Sequence, residues 1–129
     1  MTSYRTPLGR ARGKGAAGHG VTHWIAERVS SAALVPLVLW GVFAALRLAG
    51  SGYDGAVGWM QESPLNPVLL GLLIAVSFQH MHGGMRVIVE DYIHKPSTKV
   101  ALLLLNLFVC ALGGALAVFS ILKVALGGV

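Results

Sequence analysis

Charge is scarce in this chain. Asp, Glu, Lys and Arg together make up 12% of it, about half the share found in an ordinary soluble domain. The shortage comes from three runs, Val29 to Leu46, Val68 to Met85 and Val100 to Leu122, that contain no charged side chain. Each reaches the roughly 18 residues that a bilayer-spanning helix needs. Cysteine is represented by Cys110 alone, which excludes an internal disulfide and any CxxC metal or redox pair. Lying midway along the third run, it reads as an apolar packing residue. A phosphate-binding glycine loop, an HExxH pair and a Ser/His/Asp set are also missing. The chain therefore has no nucleotide, flavin or iron–sulfur site of its own. Acidic residues are absent before Glu27.

What is present is 55% hydrophobic and reads as one all-α integral membrane domain. Three transmembrane helices are expected at about 29–48, 68–89 and 99–122. Residues 1–20 form a Gly-rich tail with Arg5, Arg10, Arg12 and Lys14, expected to be extended or flexible and to rest on a partner or on anionic membrane lipids. Residues 21–129 form the membrane domain. The net charge of +5 does not point to nucleic acid, because the basic residues flank the spans. A cleavable secretory signal does not fit the long basic region, while an Arg-rich, acid-poor start keeps a mitochondrial presequence open. Val21 to Arg28 is an interfacial approach in which Trp24 suits the headgroup zone. Pro36 is expected to kink the first span, and residues 49–67 read as a loop. In the turn from His94 to Lys99, Pro96 stops one helix and Ser97 or Thr98 caps the next. Arg12, Lys14 and Arg28 before the first span, with Arg86, Lys95 and Lys99 around that turn, outnumber the basic residues on the other side. The positive-inside rule then puts the amino terminus in the cytoplasm and the carboxyl terminus outside.

The candidate site lies on the second span. An ionisable residue within a span is costly and marks function, and His80 is such a residue. Gly83 and Gly84, three and four positions on, share its side of a helix and clear space of the kind a flat porphyrin needs. Packing of small residues between helices leaves the same pattern. Asp91, eleven positions on, returns to within about 20° of His80 and about 16 Å further along. Tyr92 beside it offers a phenolic donor on an apolar body, which suits the carbonyl of a lipophilic quinone. His82, about 200° round from His80, is the rival ligand. No other span carries a histidine, so a second axial ligand would have to come from another polypeptide. Arg28 has the fork that fits a carboxylate such as a haem propionate, and Ser30 and Ser31 lie one turn on.

The pattern His80-x-x-x-Gly84-Met85, then Glu90-Asp91-Tyr92 and a basic-Pro turn, resembles the small hydrophobic membrane anchor of succinate dehydrogenase, respiratory complex II. His23-Trp24-x-x-x-Arg28-x-Ser30 resembles that family's His-aromatic and Arg-x-Ser/Thr approach to the first span. The resemblance implies a partner, the second three-span anchor or cytochrome b anchor subunit, and attachment of the iron–sulfur subunit with the flavoprotein subunit. It implies a haem b between the two anchors and reduction of ubiquinone by electrons from succinate. Carried onto this sequence, His80 is an axial ligand to the haem iron, Arg28 lies near a propionate and Gly84 packs on the porphyrin. Asp91 and Tyr92 belong to the quinone site.

The chain is therefore read as a subunit of a quinone-reducing dehydrogenase that does no succinate chemistry itself. It is placed in the bacterial cytoplasmic membrane, with the mitochondrial inner membrane as second choice. The rivals are a structural or assembly membrane protein without cofactor, and the anchor of a quinol:fumarate reductase.

Overall fold

The computed structural model describes residues 6–11 and 20–127, all in helices and the turns between them. The tail expected over residues 1–20 lies largely outside the described residues. Within it, Pro7–Ala11 forms a short helix, α1, where Thr6 Oγ1 accepts the Gly9 N–H at 3.0 Å. The other helices are α2 (Gly20–Leu48), α3 (Gly52–Glu62), α4 (Leu65–Tyr92) and α5 (Pro96–Ala125).

Three of these are long and apolar enough to cross a membrane: Val21–Leu48, Leu65–Tyr92 and Pro96–Ala125, of 28, 28 and 30 residues. The three-span all-α architecture expected from composition is thus present; the first helix ends at Leu48 as expected but starts eight residues earlier, and the other two extend three residues beyond each expected limit. The expectation followed the apolar runs closely and left most of the flanking charged residues outside. Backbone hydrogen bonding does not end there, because a charged side chain on a helical backbone can reach water by its own length. At 1.5 Å per residue these helices measure about 42–45 Å, against a hydrocarbon core of about 30 Å. Their ends stand in the headgroup layers, and the segment from Val21 to Arg28 is the first part of α2. Pro36 sits inside α2 without ending it, removing the amide that would have bonded to the Ala32 carbonyl.

The stretch at 49–67 is not a plain loop. Gly50 (φ 84°) and Gly52 (φ 68°) adopt left-handed backbone, reverse the chain and start α3. Tyr53, Ala56, Val57 and Met60 follow the i, i+3, i+4, i+7 spacing of one helical face, a signal hidden among the glycines. Trp59 packs its ring on Trp40 of α2 at a centroid distance of 5.9 Å. Its carbonyl accepts from Asn66 Nδ2 at 2.7 Å. Gln61 Nε2 donates to the Val124 carbonyl at 3.1 Å, which also accepts the Gly127 N–H at 3.1 Å, tying α3 to the end of α5.

The 94–99 turn also differs from expectation. Pro96 opens α5 at its first turn, and Lys95, held extended as residues before proline are, takes the N-cap position without a side-chain cap. Ser97 and Thr98 lie inside the helix, because proline already suits the first helical position. Lys99 Nζ reaches back to the Glu90 carbonyl at 2.8 Å and covers the carboxyl end of α4.

Among the described residues, α4 is central, packing on α2 and on α5, and those two do not pack on each other. The result is a layer three helices wide with two open faces. Its buried residues include Ser30, Ala44, Gly83, Val89, Cys110 and Gly114, all on the two α4 seams or beside them. Gly113 and Gly114 receive the Phe78 ring: a Cβ on Gly113 would stand 2.8 Å from Phe78 Cε1, which is the close approach expected of that pair. Cys110 is buried and donates Sγ–H to Asn106 Oδ1 at 3.3 Å.

Candidate functional site

α2 and α4 run antiparallel, so the start of α2 meets the end of α4. Along this seam His80 is held by residues of α2. Its Nδ1 lies 2.9 Å from Ser30 Oγ and 3.5 Å from Glu27 Oε2. The single Ser30 hydroxyl proton goes to the Glu27 carbonyl at 3.0 Å, leaving Ser30 Oγ as an acceptor. With a carboxylate oxygen on the same side, Nδ1 carries the imidazole proton and donates it. Nε2 then keeps its lone pair, which is the form of neutral imidazole that binds a metal. The His80 side chain remains 38% exposed.

His82 is arranged in the opposite way. Asn106 of α5 donates from Nδ2 both to the His82 carbonyl (2.9 Å) and to His82 Nδ1 (3.1 Å). The reverse amide orientation would put two acceptors face to face at that carbonyl and leave no acceptor for the Cys110 thiol. His82 Nδ1 is therefore an acceptor and Nε2 carries the proton. Its ring faces the α4–α5 seam and lines the grooves on either side of it.

The two glycines after His80 have separate roles. A Cβ on Gly83 would run into Glu27 Oε1, whereas one on Gly84 would meet nothing within 4 Å. Only Gly84 is open space of the kind expected beside the imidazole; Gly83 is a notch filled by this chain's own carboxylate. From Gly84 the exposed stripe of α4 continues through Met81 (43%), Ile88 (51%) and Tyr92 (75%). Asp91 is exposed at the last turn of the same unbroken helix, so its alignment with His80 holds. Tyr92 stands about 120° round from His80, on the Met81 and Ile88 stripe rather than the His80 line. Among the described residues neither Asp91 nor Tyr92 makes a side-chain hydrogen bond, while Glu90 is taken by Arg86 Nε at 2.8 Å. Arg28 does not come to His80. Its guanidinium lies over the Trp24 ring, 5.1 Å from the centroid, about 200° round α2 from Ser30.

An unbroken membrane-length helix thus carries a metal-competent histidine at depth and an acidic-tyrosine pair at its end. The model of the succinate dehydrogenase/fumarate reductase transmembrane subunit family matches residues 2–119. The chain belongs to that family. It is similar to the succinate dehydrogenase hydrophobic membrane anchor subunit of Rickettsia conorii, 26% identical over 107 residues, 83% of this chain and 85% of the relative. The protein of the same name from Paracoccus denitrificans is 27% identical over 126 residues, 98% of this chain and 96% of the relative. That of Rickettsia bellii is 30% identical over 90 residues, 70% and 71% of the two chains. No solved structure matches. The membrane anchor expected from the His80 and Arg28 patterns is borne out at the level of this transmembrane-subunit family, as is the multi-pass helical fold.

Reading the sequence alone missed Glu27 as a partner of His80 and placed Ser30 only at the mouth of the span. The signal for both was the spacing of Glu27, Ser30 and Ser31, which shares one helical face. Asn106, a lone amide deep in the third run, was the corresponding signal for the His82 contact.

Proposed function

We propose that the chain is a membrane anchor of a succinate:quinone oxidoreductase, with His80 as one axial ligand to a haem b shared with a second anchor protein. The supporting observation is the hydrogen bond from His80 Nδ1 to Ser30, which leaves Nε2 free to ligate. The residues fit the group: Gly84 leaves room for a flat macrocycle, and Met81 and Ile88 supply an apolar wall. Arg28, whose fork fits a propionate, would have to leave the Trp24 ring and swing round α2 to reach one. When bound, the haem supplies a one-electron store between the iron–sulfur protein and the quinone.

This chain's own residues bind and orient. Tyr92 O–H donates a hydrogen bond to a carbonyl oxygen of ubiquinone, polarising it for reduction, and Asp91 orients that donor and hands on protons. Both stand exposed at the end of α4, where a quinone head can reach them from the membrane. The flavoprotein, the iron–sulfur protein and the second anchor are the partners, and the site lies at the cytoplasmic face of a bacterial membrane. The relatives named for succinate dehydrogenase favour succinate oxidation. The family model also covers fumarate reductase subunits, and such an anchor runs the same site in reverse.

Purification of the intact complex tests the reading. The expected result is co-purifying flavin and iron–sulfur subunits and a dithionite-reduced b-type spectrum that disappears in His80→Ala. A lone, colourless homo-oligomer would overturn it in favour of a purely structural role, in which the His80–Ser30 bond is only a helix contact.

A further inference from the structure

His80 has two partners on α2, and they differ in charge. Ser30 Oγ makes the short contact, 2.9 Å from Nδ1. Glu27 Oε2, at 3.5 Å, is too far for a good hydrogen bond but close enough to act through its charge. Three further features hold that carboxylate in place. Ser30 and Ser31 both donate to the Glu27 main-chain carbonyl, at 3.0 and 2.7 Å, fixing the turn that carries it. The Glu27 side chain is only 28% exposed. Gly83 leaves the space that Oε1 fills. A glutamate near a membrane interface has water within reach, yet this one turns inward to the helix seam.

We propose that Glu27, with Ser30, is the positioning pair of this site: it locks His80 as the Nδ1–H tautomer and makes its ring electron-rich, lowering the reduction potential of the iron it ligates. The inference rests on the haem reading above and extends it to groups outside the coordination sphere. A carboxylate behind the distal ring proton strengthens the basicity of the ligating nitrogen, as such partners do for metal-bound histidines. Its negative charge also favours the more positive, ferric state of the iron. Ser30 sets ring orientation, and Glu27 sets charge. Gly83 acts only by admitting Glu27.

The test uses the purified complex, with the haem followed by redox potentiometry and by electron paramagnetic resonance of its ferric form. Glu27→Gln keeps the shape and removes the charge. It should shift the ferric/ferrous equilibrium about tenfold toward ferrous, an upward shift of about 59 mV for one electron, at unchanged haem content. Gly83→Ala displaces the carboxylate without altering any charge in the sequence and should shift the potential in the same direction. Ser30→Ala should broaden the ferric signal by freeing the ring, and Ser30→Thr should restore it. If Glu27→Gln does not assemble, Gly83→Ala decides. A wild-type potential in these two variants at full haem content overturns the positioning role and leaves the haem reading standing. A wild-type complex with no b-haem, or one whose haem survives His80→Ala, overturns both.

Discussion

His80 and His82 stand two residues apart on α4 and are the same side chain with opposite proton assignments. Ser30 accepts the hydrogen bond from Nδ1 of the first, and Asn106 donates one to Nδ1 of the second. The two substitutions should therefore separate cleanly: His80→Ala removes the b-haem absorbance of the complex, whereas His82→Leu leaves it in place. The reduced-minus-oxidised spectrum checks both. Asn106→Leu breaks the α5 contacts to His82 and Cys110 and should lower stability in detergent by about 1 kcal/mol, the scale of a polar contact between membrane helices, as a fall in melting temperature. At the end of α4, Tyr92→Phe keeps the ring and deletes the donor. Quinone reduction should fall about 10²-fold while succinate oxidation with an artificial acceptor is retained, and parallel assays of the two reactions check this. His80, Asp91 and Tyr92 were legible as candidates because an imidazole inside an apolar run and a tyrosine after two carboxylates are unusual chemistry for a span. The partners of His80 were not, since Glu27 lies 53 positions away in a different helix, and no pattern within one helix reports what faces it from another.

Helix α5 meets α4 through a close contact at a glycine pair. Phe78 of α4 lies against Gly113 and Gly114, and a side chain at either position meets that ring. Gly113→Leu should push α4 and α5 apart at a cost of about 1–3 kcal/mol, the usual range for overpacking. Adding Phe78→Ala to the same chain should recover part of that loss, which thermal unfolding of the single and double variants in detergent measures. The glycine pair was readable in the sequence as a place of close approach; that Phe78 fills it was not. The same division holds for α3. Gly50, Gly52, Gly55 and Gly58 made the stretch look like a loop, while its helical face and the Trp59–Trp40 contact bring it back onto the bundle. The ends of the long helices were misjudged for a related reason. Composition locates the hydrocarbon boundary, but main-chain hydrogen bonds decide where a helix ends.

The described helices together form a layer with α4 in the middle, and few of the described side chains are buried. A layer of three helices leaves two broad faces to be covered by lipid or protein. Without its partner proteins, the chain should be far less persistent in the membrane than in the assembled complex, with a shorter lifetime in pulse-chase experiments when the other subunits are deleted. An equal lifetime in both backgrounds would count against an anchor role. From the sequence alone came the membrane class, the three spans and the identity of the key histidine candidates, because these depend on runs of apolar residues and on side chains out of place within them. Tertiary structure alone decided that His80 meets Ser30 and Glu27 while His82 meets Asn106, that Gly83 belongs to Glu27 and Gly84 to open space, and that among the described residues α2 and α5 do not pack on each other. Those outcomes turn on which helix faces which, a property of contacts between residues far apart along the chain, and no local periodicity contains it.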